Sequence, residues 1–187
     1  MKFLIAGLGN IGSEYENTRH NIGFTMANTL VKAAEGKFES SRYADVAEIR
    51  LKGKTLVIIK PTTFMNLSGT AIRYYLQHEK IEKNNLLVVV DDLALPFGAI
   101  RLRGSGSDAG HNGLHNIQEL LGTDEYPRLR FGIGSEFSKG RQVDFVLGKW
   151  APEEEKLLTE RVSIACDAIK AFCLAGLPRA MNDFNKR

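Results

Sequence analysis

Short apolar runs that alternate with helical patterns are the feature that most restricts the fold of this chain. The run NLLVVVDDL is continuous and apolar, which is typical of a central strand buried on both faces. KFLIA and TLVIIKP read as two more strands, and IGFTMANTLVKAAEG carries apolar residues at helical spacing from Ile22 to Ala34. This alternation of strands and helices predicts an α/β fold.

The sheet is predicted to be mixed. VAEIRL and TLVIIKP are joined by the short segment KGK, which favours an antiparallel hairpin, whereas strands separated by a helix can pair in parallel. A long helix is expected over residues 152–175, because Pro152 and the three glutamates after it suit a helix N-terminus. No repeat or long linker interrupts the pattern, so we expect a single domain over residues 1–187, with a mixed, twisted β-sheet flanked by helices.

The charge balance is mildly basic, since 25 Lys and Arg residues against 22 Asp and Glu residues give a net charge of +3. Five basic and two acidic residues lie between Arg128 and Lys149. Such a run is most often a solvated surface. Beside a polar cleft, however, it also suits a phosphate-bearing substrate.

The composition also bears on location and redox state. No apolar run approaches the roughly 20 residues that a membrane span requires, and the first residues, MKFLIAGLGN, lack the pattern of a secretory signal. We therefore expect a cytoplasmic protein without a membrane partner. Cys166 and Cys173 fall in one predicted helix, about 10 Å apart along its axis, which is too far for a disulfide. Two buried thiols are expected there.

The first predicted strand runs into GLGNIG, which has the G-x-G-x-x-G spacing of dinucleotide-binding sites. Such a site needs a helix that opens at the third glycine, here Gly12, and an acidic residue about 20 residues later. Residues 13–19 have Tyr15 as their only large apolar side chain, and Lys32 occupies the position of the acidic residue. An NAD-dependent oxidoreductase is therefore the weaker hypothesis.

Several polar side chains and one phenylalanine follow predicted strands, at the edge where an open α/β sheet holds its ligand. In chain order they are Asn10, Tyr15, His20, Asn21, Phe64 with Asn66, Asp91 with Asp92, and His111 with Asn112. A histidine can take a proton from water near neutral pH, a carboxylate can orient that histidine, and amide groups can donate to a developing oxyanion. This set of side chains is typical of a hydrolytic site.

Each of these residues also has a structural interpretation. Asparagines at strand ends are often turn or cap residues, and Asp92 can cap a turn while Asp91 points into the cleft. His111 and His115 have the i, i+4 spacing of a metal pair, but no third ligand accompanies them, so we predict no metal site. A non-enzymatic RNA-binding module with the same basic loops is the alternative from another class of protein.

Five ordered motifs resemble those of bacterial peptidyl-tRNA hydrolases, nearly from end to end of the chain. They are GLGNIGSEYENTRHNIGF, KPTTFMNLSG, DDLALPFGAIRLR, GHNGL, and the pair RLRFGIG and DFVLGKW. The resemblance implies a single α/β domain, usually monomeric, that hydrolyses the ester between a peptide and the 3′ ribose of tRNA without a cofactor. Its partner would be peptidyl-tRNA, and its setting translation and ribosome rescue.

The resemblance also assigns catalytic roles. His20 would be the general base that activates water, and Asp91 the carboxylate that holds and polarises it. Asn10 would contact the acyl end of the substrate and help distinguish N-blocked from free aminoacyl-tRNA. Either Asn66 or Asn112 would donate to the oxyanion.

Further residues would bind the tRNA. The 3′ end would be bound by Tyr15, Phe64, Asn66 and Asn112, in a cleft also lined by Asn21 and Met65. The phosphates of the acceptor stem would be contacted by Arg103, Arg128 and Arg141. The chain departs from the family pattern at Ala109 in the loop 104–110, where glycine is usual, and at His115, where lysine or arginine is usual.

Overall fold

The computed structural model describes residues 1–187 and contains one seven-stranded sheet and six α-helices. The strands are β1 (Lys2–Gly7), β2 (Glu39–Ser41), β3 (Ala44–Leu51), β4 (Lys54–Pro61), β5 (Leu86–Asp92), β6 (Ile100–Arg103) and β7 (Arg128–Gly132). The helices are α1 (Ile22–Ala33), α2 (Ser68–His78), α3 (Asn112–Leu121), α4 (Gln142–Val146), α5 (Pro152–Ala175) and α6 (Leu177–Phe184).

The sheet has the strand order β2-β3-β4-β1-β5-β7-β6. Its four central strands, β4, β1, β5 and β7, run parallel to one another. The outer pairs are antiparallel, and β3 and β4 form the hairpin that the sequence predicts. The prediction of an α/β fold with a mixed sheet is therefore confirmed. Because the parallel strands end at the same edge, the segments that follow β1, β4 and β5 lie together there.

Helices cover both faces of the sheet. Strand β1 shows how the sequence divides its side chains, because Phe3 and Ile5 belong to the core beneath α1 and α5, whereas Leu4 and Ala6 belong to the core beneath α2 and α3. A strand buried on both faces needs apolar residues at successive positions, and β5 meets the same requirement with Leu86 to Val90, all of them buried.

The glycines after β1 serve the packing of backbone against backbone. A Cβ atom on Gly7 would lie 2.2 Å from the carbonyl oxygen of Gly23, and one on Gly23 would lie 2.4 Å from the nitrogen of Leu8. Helix α1 begins at Ile22, and only a three-residue 3₁₀ turn follows Gly12, so no α-helix opens at the third glycine. The geometry that a dinucleotide site requires is not formed.

Some elements differ from the sequence-based expectations. The short strand β2 and the short helix α4 lie in segments for which the apolar pattern predicts no element. Ala34 lies just beyond the end of α1 and is exposed. Cys166 and Cys173 are both buried and free, as expected, and burial raises the pKa of each thiol to about 12. None of the helices is long and apolar enough to cross a membrane.

Candidate active site

The candidate active site lies at the carboxyl ends of the parallel strands. A cavity of about 420 Å³ is bordered by His20 before α1, by Asp91 at the end of β5, and by His111 and Asn112 at the start of α3. Helix α4 closes one side of this cavity with Val143 and Val146. Four chain segments that are distant in sequence thus meet at one point, which is the arrangement expected of a ligand site in an open α/β sheet.

Two histidines share the carboxylate of Asp91. Nδ1 of His20 lies 2.8 Å from Oδ2, and Nε2 of His111 lies 2.9 Å from Oδ1. The carboxyl group is only 3% exposed, and the side chains of His20 and His111 are 13% and 10% exposed. An ionised carboxylate can only accept hydrogen bonds, so both ring nitrogens that face Asp91 donate to it.

The electrostatics of the pair follow from this geometry. Burial alone would raise the pKa of Asp91, but the two histidines hold the pKa of this carboxyl well below its usual range. Burial alone would lower the pKa of His20, but the charge and the hydrogen bond of Asp91 raise it above its usual value. Asp91 is therefore an anion at neutral pH, and His20 gives up its proton at a higher pH than an isolated histidine.

The outer nitrogens of the two rings have different surroundings. Nδ1 of His111 accepts hydrogen bonds from the backbone nitrogens of Gly113 and Leu114, at 3.1 and 3.3 Å, so His111 is the N-cap of α3. Nε2 of His20 has no hydrogen-bond partner in the protein, and its ring borders the cavity. With Nδ1 donating to Asp91, the neutral form of His20 presents the lone pair of Nε2 to the cavity.

His20, Asp91 and His111 are also the three neighbouring groups in the chain that could hold a metal ion. His115, which has the i, i+4 spacing of a metal pair with His111, lies outside this group and faces Asp108 at 2.9 Å. A metal on Nε2 of neutral His111 would move the ring proton to Nδ1, where it would face the two amide donors of α3. The cap of α3 therefore favours a hydrogen-bonding role for this trio.

Asn10 is held in a fixed orientation after β1. Its backbone nitrogen and oxygen pair with the side-chain amide of Asn21, at 2.8 and 2.9 Å, and its Oδ1 accepts from the backbone nitrogen of Met65 at 2.7 Å. The amide nitrogen of the Asn10 side chain has no partner in the protein. Asn21, which the sequence places in the cleft, is 3% exposed and acts by fixing Asn10.

The segment after β4 presents an exposed aromatic ring at the rim of the site. Phe64 has a φ of 65° and a ψ of 159° and is 48% exposed. This backbone conformation is strained for any residue except glycine, at a cost of about 1–3 kcal/mol. It directs the nitrogen of Met65 to Asn10, while Met65 itself is buried. Asn66 and Asn112 are both exposed, and the side-chain amide of each forms no hydrogen bond within the protein.

The basic residues correct one prediction. Arg128 is fully buried, and its guanidinium donates to the backbone oxygens of Gly106, Asp124 and Tyr126. This contradicts its predicted contact with tRNA phosphates, because a guanidinium surrounded by carbonyls is closed to an external anion. Arg130, two residues later on the same strand, borders the cavity and holds the oxygen of Ser107 at 3.0 Å. Arg103 and Arg141 are exposed, and Arg141 pairs with Asp144.

Other residues have the roles that local chemistry dictates. Asp92 accepts from the nitrogen of Ala94 at 2.8 Å and so caps a turn, as its structural interpretation predicts. Tyr15 ends a short 3₁₀ turn before His20 and is half-buried. Ala109 adopts a φ of 50°, which is why glycine suits this position. Sequence reasoning listed His111 at this edge of the sheet but gave it no catalytic role, although GHNGL already places it at a helix start, and it did not select Arg130 for the site.

Comparisons with known proteins agree with one another. The family model described as peptidyl-tRNA hydrolase matches residues 4–187. Peptidyl-tRNA hydrolases of Parabacteroides distasonis and Phocaeicola vulgatus are 60% and 58% identical to this chain over 187 residues, with full coverage of both chains in each case. A crystal structure of the peptidyl-tRNA hydrolase of Acinetobacter baumannii superposes with a TM-score of 0.92 at 33% identity, over 98% of this chain and 94% of that one.

Proposed function

The chain belongs to the peptidyl-tRNA hydrolase family, and on that premise we propose that His20 is the general base of the reaction and Asp91 the group that orients it. The reaction of the family is the hydrolysis of peptidyl-tRNA. The observation that carries the proposal is the 2.8 Å contact between Nδ1 of His20 and Asp91, together with the free Nε2 on the cavity side.

The proposed reaction begins with a water molecule between Nε2 of His20 and the ester carbonyl. As the water oxygen forms its bond to the carbonyl carbon, its proton passes to Nε2, and the negative charge of Asp91 stabilises the imidazolium that results. The tetrahedral intermediate then expels the 3′ oxygen of the ribose, which takes the proton back from His20. The products are a peptide with a free carboxyl group and a tRNA with a free 3′ end.

The side-chain amides of three asparagines are available as donors for this reaction. Oδ1 of Asn10 is occupied by Met65, so its Nδ2 is available to the acyl group of the substrate. The side chains of Asn66 and Asn112 are exposed and without partners, which leaves either one available to the oxyanion.

The tRNA is proposed to lie along the side of the cavity where the cations are. Tyr15 and Phe64 provide aromatic surfaces for the unpaired 3′ nucleotides. Arg103, Arg130 and Arg141 provide positive charge for the acceptor stem, and Arg130 takes the place of the buried Arg128. A monomer that acts in the cytoplasm, where translation occurs, is part of the same proposal.

The test uses N-acetylaminoacyl-tRNA as substrate, with EDTA and without nucleotide. We expect His20→Ala to lower kcat by about 10²–10⁴-fold, the usual contribution of a general base, while tRNA binding is retained. His78→Ala is the matched control, because the side chain of His78 is 57% exposed on α2. Unchanged turnover in His20→Ala would overturn the proposal, and binding without release of the acyl group in the unaltered protein would favour an RNA-binding module.

A further inference from the structure

We propose that Arg19 is a positioning residue that links helix α4 to the turn that carries His20. The proposal rests on the role of His20 as general base, and it adds a function for a side chain that does not border the cavity above His20. Arg19 directly precedes His20 in the 3₁₀ turn Arg19–Asn21. Its side chain contacts the segment that contains α4 and the start of α5.

The guanidinium of Arg19 is surrounded by this segment. Nη1 donates to the backbone oxygen of Phe145 at 3.1 Å, and Nη2 donates to Oε1 of Glu154 at 3.1 Å. Its Cζ lies 4.1 Å from the centre of the Phe145 ring and 5.8 Å from that of Trp150. Such a planar cation, held by hydrogen bonds at its edge and by an aromatic face, fixes both position and orientation.

The backbone completes the link. The nitrogen of Arg19 donates to the oxygen of Gly148 at 3.0 Å, and Thr18 forms an isolated antiparallel bridge with Lys149. A Cβ atom on Gly148 would come within 3.0 Å of both Nη1 of Arg19 and the oxygen of Asp144. The segment after α4 therefore fits closely against the turn, with no room for a side chain at position 148.

Helix α4 borders the cavity in which the substrate is proposed to bind. Its residues Gln142, Val143 and Val146 border the same cavity as His20, and it directly follows Arg141, which the proposed function assigns to the tRNA side. Phe145 lies on α4 and contacts Arg19 directly. A shift of α4 on binding tRNA would therefore reach the turn of His20 through the side chain of Arg19 and through the backbone contacts at Gly148 and Lys149.

A contribution to folding stability does not by itself explain why a buried arginine occupies position 19. Its side chain is 11% exposed and that of Glu154 is 17% exposed, and Nε of Arg19 is buried without a partner. A buried ion pair gains little net stability, because removing both charges from water offsets their attraction. An apolar side chain of similar volume would fill this space without the unpaired donor.

The test compares Arg19→Met, which keeps the volume, with Arg19→Lys, which keeps the charge. Arg42→Met is the matched control, since Arg42 lies between β2 and β3 at the far edge of the sheet, where its guanidinium packs on Tyr43. In folded Arg19→Met we expect kcat to fall about tenfold or more, because small misplacements of a catalytic group have large effects. We expect KM to change less than kcat, and Arg19→Lys to recover part of the loss.

Two further readouts separate positioning from a purely structural role. The acid limb of the pH profile of kcat/KM is expected to move to lower pH in Arg19→Met, because a displaced His20 loses the contact with Asp91 that raises its pKa. The far-downfield proton resonance of Nδ1–H of His20 is expected to shift or disappear, while that of Nε2–H of His111 persists. If folded Arg19→Met retains the kcat, the pH profile and both resonances of the unaltered enzyme, the proposal is wrong.

A second variant covers the case in which Arg19→Met does not fold. Glu154→Gln keeps an oxygen for the nitrogen of Ala151, which Glu154 caps at 2.8 Å, but removes the charge that faces Arg19. We expect changes in the same direction and smaller, and their absence would contradict the proposal. If His20→Ala retains turnover, the general-base assignment fails as well. If only the Arg19 and Glu154 variants behave like the unaltered enzyme, the positioning role alone fails.

Discussion

The turn that carries His20 and the start of α3, which carries His111, approach the same carboxylate from two sides. Their contacts with Asp91 are nearly equal, at 2.8 and 2.9 Å, and both rings are largely buried. They differ in the second ring nitrogen. His111 uses it to cap a helix, whereas His20 leaves it free at the cavity.

This difference indicates that contact with a buried carboxylate does not by itself make a histidine a general base. The carboxylate fixes a tautomer in both rings, but in opposite senses: Nδ1–H in His20 and Nε2–H in His111. Only the first leaves a lone pair that water can reach. The role of each histidine is thus decided by the backbone around it, a short turn in one case and a helix N-terminus in the other.

Removal of the shared anchor is expected to have the largest effect after the loss of His20 itself. Asp91→Asn should lower kcat about 10²-fold or more, since the imidazolium loses its counter-charge within a general-base step of about 10²–10⁴-fold. The anion raises the pKa of His20, so without it the acid limb of kcat/KM should move to lower pH. A pH-rate series on both proteins measures this, and an unmoved acid limb would argue against the pairing.

The two functions of His111 can be separated by two substitutions. His111→Asn supplies another good N-cap but does not reproduce the bond to Asp91, whereas His111→Ala removes both. We expect kcat to fall about tenfold in each, since Asp91 becomes less well oriented. Unfolding in urea should show a loss of about 1 kcal/mol for His111→Ala and less for His111→Asn. Equal stability of the two would mean that the cap of α3 is not energetically significant.

The loop 104–110, which precedes α3, affects the position of His111, one of the two histidines compared above. Arg128 and Gln118 both donate to the oxygen of Gly106, and so hold the loop that leads to His111. Arg128→Met should destabilise the protein by about 1–3 kcal/mol, because these buried carbonyls lose their donor, with only a small change in KM. Arg130→Met should instead raise KM, more at low salt than at high salt. A raised KM in Arg128→Met with unchanged stability would reverse this distinction.

The smallest effect is expected at His115. Its side chain is 69% exposed, and its contact with Asp108 lies at the surface, where ion pairs contribute about 0–1 kcal/mol. His115→Ala should leave kcat within about twofold of the unaltered value and stability within about 0.5 kcal/mol. A large loss of kcat would show that the link to Asp108 controls the loop and, through it, His111.

Much of this arrangement could be predicted from sequence, for identifiable reasons. The apolar run of β5 and the helical spacing of α1 follow from burial, and the rule that ligands lie at the carboxyl ends of strands selects His20 and Asp91. The burial of Arg128 and the position of Arg130 beside the cavity could not be predicted from these patterns. The two arginines are two residues apart on β7 and so face the same side. They differ in tertiary contacts, because backbone oxygens of two segments enclose the guanidinium of Arg128, whereas Arg130 borders the cavity. The cap formed by His111 is a local contact, but its effect on the tautomer could not be predicted, because it requires Asp91 at the other ring nitrogen.

The opposite tautomers of the two histidines are the central claim, and NMR of the ring nitrogens in ¹⁵N-histidine-labelled protein tests it most directly. At a pH above the raised pKa of His20, the account predicts the proton of His20 on Nδ1 and that of His111 on Nε2, with both protons in strong hydrogen bonds. Asp91→Asn removes the charge and one acceptor oxygen, so at least one of these hydrogen bonds should be lost and the other weakened. A proton on Nε2 of His20 under these conditions would leave no base at the cavity and would contradict the account.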